Sequence, residues 1–135
     1  MSDAAPPLPS MPPLAGVSLA TVPTAIGYDG RDDILMASFA PGTVAAGVLT
    51  QNSAAAAPVL WTRQRLANED APAALLINAG NANCYTGQAG HRIVKDAAAR
   101  AATRLGANPE NIYICSTGRI GQQVPPQAML DAIDA

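Results

Sequence analysis

The sequence predicts an α/β fold, and two stretches carry that reading. Residues 73–118 run as apolar strand, loop, amphipathic helix and strand, a βαβ-like unit. Ahead of it, the apolar runs Ile34–Phe39 and Val44–Thr50 flank Ala40-Pro41-Gly42-Thr43 and read as a hairpin. Pro at the first turn position presets φ, and Gly at the second supplies φ > 0, the chemistry of a type II turn.

Residues 1–13 hold Pro6, Pro7, Pro9, Pro12 and Pro13. Such a segment cannot form a regular ladder, and a flexible arm is expected there, with the domain proper at 14–135. Gly16–Ile26 reads as extended. Gly47, inside the second hairpin run, marks a bulge or a close backbone approach. Pro58–Leu66 is expected as a short helix, with Pro58 at its start and Arg63 and Arg65 near its end. Ala73–Ile77 is a short strand running into Asn78.

The strongest helical pattern is Gln88–Leu105. Arg92, Lys95, Asp96, Arg100, Thr103 and Arg104 share one face, and Ile93, Val94, Ala97, Ala98, Ala101 and Leu105 the other. Asp96 and Arg100 are spaced to pair, worth ~0.3 kcal/mol. Gly106 stands at the C-terminal cap position, and Pro109 follows. Ile112–Cys115 is the next strand and ends in the turn Ser116-Thr117-Gly118. Pro125 or Pro126 opens a last helical pattern with Met129, Leu130 and Ile133. That pattern stops at Ala135, which reads as a truncated helix.

The chain has 135 residues, enough for one modest core. Charged residues make up only 13%, so either the chain is simply Ala-rich or another chain covers much of its surface. The net charge is −2 with signs interspersed, which gives no footprint for nucleic acid. No apolar run approaches a membrane span. The opening residues lack the pattern of a signal peptide, so a cytoplasmic location is expected. Cys84 and Cys115 are far apart and read as reduced thiols. One His and two distant Cys do not make metal-ligand spacing, and no cofactor is expected. No GxGxxG follows a strand, so dinucleotide binding has no support.

Several residues have the right chemistry for a site. Asn78-Ala79-Gly80-Asn81-Ala82-Asn83 carries three Asn in six residues. Asn amides bond to nearby backbone, so the first reading is a loop held by its own side chains; the second is a loop that buttresses a site. Ser116-Thr117-Gly118 reads first as a turn. A Thr hydroxyl and a Gly N–H at a strand end are also the donors an acyl-transfer oxyanion needs. His91 and Cys84 could form a dyad only if the fold brought them together. Asp32-Asp33 reads as a turn before a strand rather than a carboxylate pair.

Four segments in order, from about Gly27 to Pro125, resemble the ornithine acetyltransferase family. They are Arg31 and Asp33-Ile34; Ala45-Ala46-Gly47-Val48-Leu49-Thr50-Gln51-Asn52 with Ala56-Ala57-Pro58-Val59; Asn78–Asn83 with Thr86-Gly87; and Cys115-Ser116-Thr117-Gly118-Arg119-Ile120-Gly121 with Pro125. Departures from the family pattern are Leu49, Cys84-Tyr85 and Arg119, the last beside the candidate oxyanion donors.

The resemblance implies part of a layered αββα-type sandwich. It implies an enzyme of arginine biosynthesis that moves acetyl from N-acetylornithine to glutamate, with acetyl-CoA as an alternative donor. Thr117 and Gly118 would form the oxyanion hole. The nucleophilic Thr would be freed by self-cleavage and would begin a β chain. Ala128-Met129-Leu130 has no Thr between Ala and Met, so the nucleophile is expected outside this chain and the chain alone is expected to be inactive. The expected partners are the rest of the α chain and the β chain, in a hetero-oligomer. The alternatives are a non-catalytic paralogue or interaction module, or a part of a related self-cleaving amidase or aminopeptidase. Open strand edges are expected to leave apolar surface exposed.

Overall fold

The computed structural model describes residues 9–68 and 71–135. The expected Pro-rich arm lies outside the described residues as far as residue 8; residues 9–13 are exposed and carry no regular element. The strands are β1 (Val17–Val22), β2 (Ile34–Phe39), β3 (Ala74–Asn78) and β4 (Ile112–Ser116). The helices are α1 (Ala57–Leu66), α2 (Gly87–Leu105) and α3 (Pro126–Asp134), and a 3-10 turn spans Pro109–Asn111. The strands form one sheet in the order β1-β2-β3-β4. Pairs β1/β2 and β2/β3 are antiparallel, and β3/β4 is parallel. The α/β expectation holds, and β3-α2-β4 is the βαβ unit read from the sequence.

The hairpin is a correction. The turn forms, with the Thr43 amide 3.2 Å from the Ala40 carbonyl and Gly42 at φ +86°. Residues 44–50, however, join no strand. The reason is occupancy: β2 is bonded to β1 on one side and to β3 on the other, so no edge is left for the second arm. Val44 and Val48 are instead 90% and 99% exposed. Gly47 does mark a close approach, but to a side chain: a Cβ there would lie 3.1 Å from Leu66 Cδ1.

One face of the sheet and the helices enclose the core. Register puts Met36, Leu76 and Ile114 side by side on that face. Leu76, Ile112 and Ile114 are fully buried and meet Ile93, Val94, Ala97, Ala98 and Ala101 of α2 and Met129 and Ile133 of α3. The Ala stripe lets α2 sit close to the sheet, which is why a chain poor in large side chains still closes a core. Leu105 departs from its expected burial: at the last residue of α2 it is 37% exposed, over a cavity bordered by Phe39, Pro41 and Pro72. Arg100 also departs, since its Nη1 bonds Asp134 Oδ2 of α3 at 2.6 Å rather than Asp96, and Arg104 Nη1 bonds the Asp134 carbonyl at 2.7 Å. Both cations thus sit at the negative end of α3.

The β4 edge is not open. Trp61 Nε1 donates to the Ile112 carbonyl (2.9 Å). Thr62 Oγ1 donates to the Ile114 carbonyl (2.8 Å) and accepts from the Ile114 amide (3.3 Å). Helix α1 therefore occupies the backbone groups of this edge. Apolar exposure lies instead on β1, where Leu19 is 67% exposed, and in the segment after the turn.

Candidate functional site at the ends of β3 and β4

Parallel strands β3 and β4 end side by side at Asn78 and Ser116. Ligand sites in α/β sheets commonly lie beyond such carboxyl ends. Both loops that leave these strands come from the sequence motifs, and the structure brings them together. Asn81 forms β-bridges with both Thr117 and Arg119. The Thr117 amide donates to the Asn78 carbonyl (3.0 Å), the Arg119 amide to the Gly80 carbonyl (3.2 Å), and the Ala82 amide to the Arg119 carbonyl (2.9 Å).

The three Asn are buried and spend their amides on backbone. Asn78 Nδ2 donates to the Asn81 carbonyl (2.7 Å), and Asn81 Nδ2 to the Gln122 carbonyl (2.8 Å). Asn83 Nδ2 donates to the Gly90 carbonyl (3.0 Å), while its Oδ1 accepts from Thr86 Oγ1 (2.7 Å). The Ser116 hydroxyl donates to Asn78 Oδ1. Each of these side chains is bonded within the protein, so the Asn residues build the loop. Gly90 has room for no side chain: a Cβ would fall 1.9 Å from Thr86 Oγ1.

Thr117 and Gly118 stand differently. Both are exposed, and the Thr117 hydroxyl has no hydrogen-bond partner among the described residues. Gly118 sits at φ +131°, and a Cβ on it would come 2.2 Å from the Gly80 carbonyl carbon. Gly80 in turn touches Gly27. Three loops thus meet backbone to backbone, and the turn carrying Thr117 rests on that stack.

Gly27 is held by Asp33, a contribution the sequence reading missed. Its buried carboxylate accepts from the Thr24 amide and hydroxyl (both 2.7 Å) and from the Gly27 amide (3.3 Å). Burial works to raise its pKa, but the bonds from the Thr24 side chain and amide, Gly27 and Ile26 together hold it below the ordinary carboxylate value. Asp32 turns away and accepts from the Thr21 hydroxyl. The two are not a carboxylate pair. The only sequence signal was the Thr24-x-x-Gly27 spacing ahead of an acidic residue, and it is weak.

Other candidates are not brought together. Cys84 Sγ lies 3.8 Å from the Ala54 carbonyl, and His91 is exposed on α2 beside a cavity of about 150 Å³ bordered by Asn83, Tyr85 and Thr86. Arg119 is exposed and reaches the Gly27 carbonyl and Gln122 Oε1, each at 3.4 Å. Among the described residues no group of three His, Cys, Asp or Glu is placed to hold a metal. A cavity of about 500 Å³ between the 47–51 segment and α1 is bordered by none of the site residues.

A family model described as the ArgJ family matches residues 18–135. The chain belongs to the ArgJ family. All four resembling segments fall in the matched region. The "Arginine biosynthesis bifunctional protein ArgJ" of Gluconobacter oxydans is 45% identical over 135 residues, which is 100% of this chain and 32% of that protein. The protein of the same name from Nitrobacter winogradskyi is 43% identical over 118 residues, covering 85% of this chain and 28% of the relative. This ArgJ chain therefore spans about a third of the length of the curated relatives it matches. Among solved structures, ornithine acetyltransferase of Mycobacterium tuberculosis, complexed with ornithine, superposes with a TM-score of 0.83 at 34% identity, over 88% of this chain and 64% of that one. ArgJ of Bacillus halodurans also gives 0.83, at 27% identity, over 88% of this chain and 62% of that one. The fold expected from the resemblance is thereby established.

Proposed function

We propose that this chain is part of an arginine-biosynthesis N-acetyltransferase and supplies its oxyanion hole from Thr117 and Gly118. The observation that carries the reading is the exposed Thr117 hydroxyl, without a hydrogen-bond partner among the described residues, on a turn braced by the Gly80 backbone. A donor held rigid before reaction needs no reorganisation when charge develops, which is what oxyanion stabilisation requires. The ornithine bound to the Mycobacterium relative favours an ornithine-type substrate, and the family resemblance adds N-acetylornithine as donor and glutamate as acceptor.

The reaction then runs in two halves. A nucleophilic Thr outside these residues attacks the acetyl carbonyl. The carbonyl oxygen takes up negative charge and accepts from Thr117 and Gly118. Collapse of the adduct expels the ornithine amine, which leaves with a proton, and the acetyl stays on the nucleophile. The glutamate amine attacks that ester, passes through a second oxyanion at the same donors, and leaves as N-acetylglutamate. The reaction needs no cofactor; acetyl-CoA enters only as another acyl donor.

The domain of residues 14–135 would work with the remaining α-chain segment and the β chain. Leu19, Val44, Val48 and Ile120, each at least 66% exposed, are apolar surface for those partners to cover. By itself the chain would have no acetyltransferase activity. A cytoplasmic location fits this biosynthetic role, and no helix among the described residues is long and apolar enough to cross a membrane.

The test substitutes this chain for the matching segment of the Gluconobacter oxydans ArgJ and assays acetyl transfer from N-acetylornithine to glutamate. Thr117→Ala should lower kcat by about two orders of magnitude. An active chimera indifferent to Thr117→Ala would remove the oxyanion assignment. A folded, inactive chimera would favour a non-catalytic paralogue or a different amide substrate.

A further inference from the structure

Asp33 touches none of the candidate reacting groups, yet it joins the loops on which they rest. Its side chain gathers the Thr24 amide and hydroxyl and the Gly27 amide. Its main chain fixes the neighbouring segments: the Asp33 amide donates to the Val22 carbonyl (3.2 Å), and the Asp33 carbonyl accepts from the Ala79 amide (2.8 Å). One residue therefore sets both the 24–27 loop and the start of the Asn-rich loop. Where those loops meet, Gly27 and Gly80 are in backbone contact, so that a Cβ added to either would fall 2.2 Å from the other's Cα. On the far side, Gly80 carries Gly118 at the same closeness. No side chain intervenes to absorb a displacement, so a shift of the Gly27 loop is passed on to the Thr117-Gly118 turn.

We propose that Asp33 is a positioning residue for the Thr117-Gly118 turn, acting through the Gly27, Gly80 and Gly118 backbone stack; this rests on the oxyanion reading above. The Asp33 carboxylate holds Gly27 against Gly80, and Gly80 limits where Gly118 can lie. An isosteric Asn keeps one acceptor for Thr24 but turns its NH2 towards the Gly27 amide, donor against donor. Asp33→Asn thus releases this contact with little change in volume.

The experiment uses the full-length chimera with hydrogen-exchange mass spectrometry and steady-state kinetics. In Asp33→Asn, amide exchange should accelerate about tenfold in peptides covering 78–84 and 116–122 while α2 and α3 keep their protection. The kcat should fall about tenfold with KM changed less than about twofold, because the donors are misplaced while the groups that bind substrate stay where they are. In a Thr117→Ala background, Asp33→Asn should lower kcat by clearly less than the roughly tenfold it costs alone, since the Thr117 donor is already gone and only the Gly118 N–H is left to misplace. Thr24→Val, which removes the hydroxyl's bond to the carboxylate and the Ile26 amide's bond to that hydroxyl but leaves the Thr24 and Gly27 amides on Asp33, should give the same pattern at smaller amplitude. If Asp33→Asn does not fold, Thr24→Val carries the test. Unchanged exchange over 116–122 in the folded variant, or kcat losses that multiply in full with Thr117→Ala, would overturn the proposal. If Thr117→Ala leaves kcat untouched, the oxyanion reading falls, and the exchange over 116–122 still decides whether Asp33 sets the turn.

Discussion

Gly80 and Gly27 meet so closely that a Cβ built on either would lie 2.2 Å from the Cα of the other. Gly80 also sits at φ +94°, in the region that side chains rarely adopt. Gly80→Ala therefore meets two obstacles, a backbone clash and a strained φ, and should destabilise the fold by about 3 kcal/mol or more. Gly30 provides the comparison. It has φ +73° but nothing within 4 Å of its missing Cβ. Gly30→Ala should cost only about 1 kcal/mol, the conformational part alone. Thermal unfolding of the two variants separates steric from conformational cost. Equal losses would mean that the Gly27 loop gives way without resistance.

At the opposite side of the sheet's parallel pair, Thr62 closes the β4 edge by giving and taking a bond at Ile114. Thr62→Val keeps the shape and removes both bonds, leaving a buried amide and carbonyl unpaired. It should cost about 1–3 kcal/mol, while Thr62→Ser should cost less than about 1 kcal/mol. The Ile114 amide, read by hydrogen exchange, should lose protection in the Val variant and keep it in the Ser variant. Full protection in Thr62→Val would show that packing alone shields this edge.

How far the sequence leads depends on whether the deciding contact is local. Helix α2 was legible because its burial repeats along one element: Ile93, Val94, Ala97, Ala98 and Ala101 are all buried. The turn at Ala40–Thr43 was legible for the same reason. Val44–Thr50 was not, because its pattern suits a strand and only the pairing of β2 on both sides denies it a partner. The two loops of the candidate site were legible as motifs, Asn78–Asn83 and Ser116-Thr117-Gly118. Their dependence on Asp33 was not. Its acceptor bonds reach Thr24 and Gly27, and its effect on Gly118 passes through a contact between segments distant in sequence. Arg100 misled because a helical neighbour at i−4 was visible and Asp134 of another helix was not.

Helix α3 should depend more on its buried face than on the arginines that reach its end. Arg100 pairs with the Asp134 carboxylate, and Arg104 bonds the Asp134 carbonyl. The first pair is half exposed on both sides, so Asp134→Asn should cost no more than about 1 kcal/mol and less in high salt. Met129→Ala, on the buried face of the same helix, should cost about 2–5 kcal/mol. Urea unfolding of both variants at low and high salt checks the contrast. A larger loss for Asp134→Asn than for Met129→Ala would mean that charge, rather than burial, docks α3.

Asp33 should also make the chain acid-sensitive in a defined direction. Its folded pKa lies below the ordinary carboxylate value, because the hydrogen bonds outweigh the opposing effect of burial. The unfolded chain has a carboxylate pKa of about 3.9. Over the interval between the two values the unfolded state binds more protons, so stability rises with pH there. The contribution of Asp33 is fully present above the unfolded pKa and is lost as pH falls through the folded one. Asp33→Asn has no such proton to bind. At neutral pH the variant should be less stable than the parent, by about 1–3 kcal/mol for the lost charge-assisted bonds. Below the folded pKa the parent carries a neutral carboxylic acid at that position, and the gap should narrow. Urea midpoints measured from neutral to strongly acid pH for both proteins give the difference directly, with other carboxylates cancelling. A gap that stays constant across the acid range would mean that the Asp33 bonds stabilise its charged and neutral forms equally, and that its hold on Gly27 does not depend on charge.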